Sequence, residues 1–129
     1  MSRLPSWERN LQGYLSTINL FEWGKTDCCM FAVGAVKAIT GIDHGTEYKH
    51  RTKLGAAKLL TKHGGVEAIA TKHLGNPKPA TFAQRGDVVS FQTDEGLALG
   101  ICIGTKIAAM KAEGLIFLPL FKSLKAWSV

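Results

Sequence analysis

At 129 residues the chain is long enough for one domain with a genuine core and too short for two. Hydrophobic residues make up 46% and charged residues 20%, which excludes a disordered or fibrous class and fits a globular one. The three cysteines, two of them adjacent, do not form a disulfide framework and fit a reducing compartment, and the net charge is +6.

The first ten residues carry no apolar stretch of the kind that opens a secretory signal, so the chain is expected to be cytoplasmic when synthesised. No apolar run approaches the roughly 18 residues that a membrane span needs. Pro5 and Ser6 open a first helix. Trp7, Leu11, Leu15 and Ile18 recur on it at three- and four-residue spacing, an apolar stripe that needs a partner. Phe21 and Trp23 lead into a turn at Gly24. Aromatics here pin a loop or, alternatively, form a substrate platform.

Thr26 and Asp27 then stand as N-cap residues before Cys28, Cys29 and an apolar run to Ile39 in which Lys37 is the one charge. Gly41 sits where a left-handed residue ends a helix. A helix apolar on nearly every side belongs in the interior. Gly34 in its middle predicts that another backbone packs closely there. The cysteines therefore lie at the N-terminus of a buried helix, where unpaired N–H groups and the helix dipole favour a thiolate.

Residues 42–48 read as loop. Thr52 caps a short helix with Leu54, Ala57 and Leu60 inward, ended by Gly64 and Gly65. Another follows with Val66, Ile69, Ala70 and Leu74 inward, ended by Gly75. Between Tyr48 and His63 the five basic residues Lys49, Arg51, Lys53, Lys58 and Lys62 meet no acidic one. Such a segment is a solvated face or a docking surface for nucleic acid, an anionic cell-wall polymer or an acidic partner. With no interleaved aromatics and no finger spacing, nucleic acid is the weakest of these.

Asn76-Pro77-Lys78-Pro79 is a connector, and after it the pattern changes to strands. Asp87 to Phe91 is short and β-branched. Leu97, Leu99, Ile101 and Ile103 alternate with Ala98, Gly100 and Cys102 at a period of two. Lys106–Lys111, Leu115–Leu118 and Ala126–Val129 complete a curved antiparallel sheet or barrel. The small face at Ala98, Gly100 and Cys102 is expected to meet the glycine-bearing central helix. The whole reads as a single α+β domain over 1–129, with a helical half at 1–75 and a β half at 80–129.

A Trp-Gly turn, Asp27-Cys28 opening a buried helix, Gly86-Asp87-Val88-Val89 opening a strand and the Leu99-Gly100-Ile101-Cys102-Ile103-Gly104 strand together resemble the NlpC-type cell-wall cysteine peptidases. These are papain-like domains that cut peptidoglycan stem peptides. The likeness spans roughly residues 20–110 and is nearest to the divergent branch found beside phage and prophage tail genes. The resemblance makes Cys28 the nucleophile position, its backbone N–H part of an oxyanion hole, and Trp23, Asp27 and Cys29 its surroundings. It implies phage tail proteins or peptidoglycan as partners, the virion tail as a destination, and no cofactor or metal.

The family's histidine falls at Ala98, and residues 105–112 supply no His, Asn or Gln as the third polar group. A leaving amine needs a proton that methyl groups cannot deliver. His44 lies past the far end of the central helix; about twelve residues at 1.5 Å each put it on the order of 18 Å from Cys28. His50, His63 and His73 read as exposed or packing residues. No ligand spacing marks a metal site. The leading expectation is a tail-associated structural or recognition module with a degenerate peptidase site. The alternatives are an active peptidase or amidase using Cys28 with a base from elsewhere, and a pair of small buried cysteines with no chemistry.

Overall fold

The computed structural model describes residues 2–18, 27, 29–46, 48–111 and 113–129. The amphipathic stripe near the start forms α1, Trp7–Thr17, with Leu11 buried and Trp7 and Leu15 packed against the core. Its partner is the apolar helix α2, Met30–Thr40, which buries Phe31, Ala32, Ala35, Val36 and Ile39. Tyr14 stacks on Phe31 with ring centroids 5.8 Å apart, and its hydroxyl donates to the Phe31 carbonyl at 2.9 Å. The close approach expected at Gly34 is made by this ring and not by a backbone. A Cβ at Gly34 would collide with the Tyr14 phenol.

α2 ends as its sequence dictates, with Gly41 at φ 82° and its N–H bonded to the Lys37 carbonyl at 2.7 Å. The chain then reverses and runs back along the helix it has just left. Gly45 is pressed so closely on α2 that a Cβ there would lie 2.8 Å from Val33 and 2.9 Å from Met30. Helix α3, Lys53–His63, is capped by the Thr52 hydroxyl, which accepts from the Gly55 N–H at 3.0 Å. Of the inward face expected on α3, Leu60 packs against the core, whereas Ala57 is exposed and Leu54 is 65% exposed. Helix α4, Val66–Leu74, buries Val66, Ile69 and Ala70 as its spacing requires.

The strands are β1 (Lys78–Pro79), β2 (Val88–Thr93), β3 (Gly96–Cys102), β4 (Lys106–Lys111), β5 (Gly114–Pro119) and β6 (Lys125–Trp127). They form an open antiparallel sheet in the order β1-β6-β2-β3-β4-β5, so the fold class is α+β. The Pro77–Pro79 connector supplies the two-residue strand β1, at the edge, where proline is tolerated. Among the described residues no helix is long and apolar enough to cross a membrane.

Strand alternation divides the interior into two cores. Val88, Leu99, Ile101, Ala108, Met110 and Trp127 face the helices. Val89, Phe91, Ala98, Cys102, Ile107 and Ala109 pack on the other face of the sheet. The expectation that the small face of β3 meets α2 is therefore reversed: the large residues Leu99 and Ile101 do so. Gly100 is small because Ile107 and the Ala108 carbonyl crowd it within the sheet. Where β2 begins, Asp87 is 1% exposed and gathers the ends of the domain. Its carboxylate accepts from Arg3 Nη2 at 3.1 Å, Lys78 Nζ at 2.7 Å, and the N–H groups of Gln84 and Val129 at 2.9 and 3.2 Å.

Candidate functional site at the N-terminus of helix α2

Asp27 caps α2 in the way its residue type predicts. Its carbonyl accepts the Phe31 N–H at 2.9 Å, and its Oδ1 accepts the N–H groups of Cys29 at 3.0 Å and Met30 at 2.9 Å. A carboxylate placed there is favoured by the helix dipole. It is also 1% exposed, and burial of a charge needs compensation.

The compensation comes from His50. Its Nε2 meets Asp27 Oδ2, and its Nδ1 lies 2.8 Å from the Tyr48 carbonyl oxygen. A carbonyl only accepts, so Nδ1 carries a proton. One further proton lies between Nε2 and the carboxylate, whichever of the two holds it. Both ring nitrogens are thereby engaged, and the side chains of His50 and Asp27 are 5% and 1% exposed. The pair locks the returning loop onto the helix N-terminus.

Beside this pair lies a cavity of about 40 Å³ whose lining includes Cys29, Val36, His44, Tyr48, Ile69 and His73. The Tyr48 hydroxyl and His73 Nε2 are 2.6 Å apart. His44 and His73 face each other with ring centroids at 5.0 Å, and His63 packs edge-on to Tyr48 at 4.9 Å. His44 titrates below its ordinary range because it is removed from water and stands next to His73; Asp43 opposes this only in part. Its Nε2 is buried without a hydrogen-bond partner among the described residues. Tyr14, on the opposite flank of α2, has its phenol pushed strongly upward, first by burial and then by the charge of Asp27.

Of the residues singled out in the sequence, Asp27 and Cys29 lie together at this terminus, whereas Cys28 and Trp23 fall outside the described residues. Ala98 is 5% exposed and belongs to the core on the sheet face turned away from α2. Extrapolating α2 in a straight line misplaced His44: the reversal after Gly41 returns it to the same cavity as Cys29. Reading His50 as a surface or packing residue missed the partner that the buried Asp27 demands. The signal was a carboxylate heading an apolar helix with no basic residue near it on that helix. Among the described residues no group of three His, Cys, Asp or Glu side chains could hold a metal ion.

The fold and this terminus define an α+β domain in which a carboxylate-capped apolar helix is clamped by a histidine from the following loop. Residues 2–129 match the family described as a domain of unknown function, DUF6950, and the chain belongs to that family. No curated protein matches the chain.

Proposed function

We propose that the chain is a papain-like domain of the NlpC type, derived from a phage or prophage. In this reading it serves as a tail-associated structural or cell-wall recognition module and no longer hydrolyses peptides. The observation that carries the reading is the state of His50. It is the histidine that clamps the helix terminus, and its two nitrogens are committed to Asp27 and to the Tyr48 carbonyl. With both nitrogens occupied, taking a thiol proton or delivering one to a leaving amine would first require one of these two contacts to break. The methyl group of Ala98, buried in the other core, supplies neither.

The basic segment 49–62 supports a recognition role. Lys49, Arg51, Lys53, Lys58 and Lys62 are all exposed, and such a face attracts an anionic polymer. The test incubates the purified protein with peptidoglycan sacculi. The protein is expected to co-sediment with them, less so at high salt, and to release no stem peptides by mass spectrometry. Release of peptides that disappears in Cys28→Ser would overturn the reading.

A further inference from the structure

The cavity beside Cys29 has a composition that water does not suit. Apolar side chains of α2, α4 and β3 form most of its wall, among them Val36, Ile69 and Leu99. The Tyr48 hydroxyl on the same wall is already bonded to His73. That leaves the buried Nε2 of His44 as a hydrogen-bonding atom with no partner among the described residues. An ordered water needs two to four polar partners, and an orphaned buried nitrogen in a native structure calls for an occupant. Val33, His44, His73 and Leu74 are part-exposed, so the cavity reaches the surface.

We propose that this cavity is a binding pocket for a short, uncharged aliphatic group carrying one hydroxyl, which can donate to or accept from His44 Nε2, with the apolar body among Val36, Ile69 and Leu99. The proposal rests on the reading of the domain as a recognition module and adds to it a second chemical class, taken by this cavity. Size follows from the volume. At about 10–15 Å³ per water-sized sphere, the cavity of about 40 Å³ holds a group of roughly four heavy atoms. Charge is excluded by the wall, which contains no Lys, Arg, Asp or Glu, and by His44 itself. Burial and His73 keep the His44 ring neutral near pH 7, against the smaller pull of Asp43.

The probe is propan-2-ol, with isopropylammonium chloride and sodium acetate as charged counterparts of similar size. The His44 imidazole nitrogens are followed by NMR in the full chain carrying Cys28→Ser, and Cys29 alkylation by iodoacetamide is timed in the same samples. Propan-2-ol is expected to shift His44 Nε2 saturably in the millimolar range and to slow alkylation of Cys29 several-fold. The two ions are expected to do neither. His44→Gln, checked for folding by circular dichroism, is expected to lose the effect on alkylation, and His44→Phe serves if the glutamine variant does not fold.

A shift that grows without saturation, or one produced equally by the ions, overturns the pocket. If sacculus binding persists without a saturable shift, this proposal fails alone. If stem peptides are released while the shift saturates, the non-hydrolytic reading fails and the pocket stands.

Discussion

The carboxylate of Asp27 and the imidazole of His50, 23 residues apart in the chain, form a buried pair that fastens the loop after α2 to the start of that helix. Removing one partner strands the other. Asp27→Ala loses the cap and takes away the partner of His50 Nε2, and His50→Ala leaves a buried carboxylate with its backbone N–H bonds but without the imidazole. Each is expected to cost about 3–5 kcal/mol by urea unfolding. The double variant should cost much less than the sum, and strict additivity would mean that the two side chains are not energetically coupled.

A histidine placed at Ala98, where the proposed NlpC-type reading would look for one, is not expected to supply a catalytic base. Ala98 lies opposite Phe91 in the β2–β3 register, inside the second core. Ala98→His overfills that core and is expected to lower stability by about 1–3 kcal/mol. It should leave the thiol titration at Cys28 unchanged; a lowered thiol pKa in this variant would show that the β3 face has been assigned wrongly.

Gly34 and Tyr14 form a size-matched pair. Gly34→Ala drives a methyl group into the phenol and is expected to cost about 2–3 kcal/mol. Tyr14→Leu in the same chain should recover part of the loss. Tyr14 also has an alkaline signature. Its folded pKa is raised by burial and then by Asp27, so its contribution is complete below the unfolded value of about 10 and falls away as pH rises beyond it. The native protein should weaken above about pH 10 more steeply than Tyr14→Phe does.

At the acid end the group to watch is His44. Its folded pKa is lowered by burial and by His73, with Asp43 acting the other way, so its contribution is present above the unfolded value of about 6.5 and is lost as pH falls below it. Tyr48 and Cys29 are the other titratable groups on the cavity wall. His44→Gln should flatten the decline in melting temperature between pH 6.5 and more acid values. An unchanged acid limb would indicate that His44 is protonated as readily in the folded chain as in the unfolded one.

Asp87 is expected to be the most sensitive acidic position outside α2. Two cationic side chains and two backbone N–H groups converge on its buried carboxylate. Asp87→Asn keeps the shape but removes the charge and one acceptor, and should cost about 3 kcal/mol or more in chemical denaturation.

Local chemistry was legible and long-range chemistry was not. The Asp27 cap, the Gly41 terminator and the Thr52 cap are each decided within four residues, and all three lie where their sequence puts them. The direction of the chain after Gly41 depends on what α2 leaves open beside Val33 and Met30, which no local pattern encodes. Hence His44 and His50 went unrecognised at the helix terminus. β3 alternated clearly, but Ala98 and Cys102 on one face are as buried as Leu99 and Ile101 on the other. Alternation then identifies two faces without saying which of them meets a helix. At α3 the three-residue spacing of Leu54, Ala57 and Leu60 marks a stripe, yet the helix lies at the periphery and Leu54 stays in water.

The convergence on Asp87 also brings the segments around Arg3 and Val129 together. Arg3 Nε donates to the Val129 carbonyl at 2.7 Å, so the third residue and the last are within one side chain's reach. A linker of a few amino acids would join them, and a fresh opening at the exposed Gly64 turn would yield a circularly permuted polypeptide that gives up the α3 cap and keeps its strand pairing. The same geometry lets the unit be grafted into a surface loop of a larger host, since neither partner would have to be stretched apart to accept it.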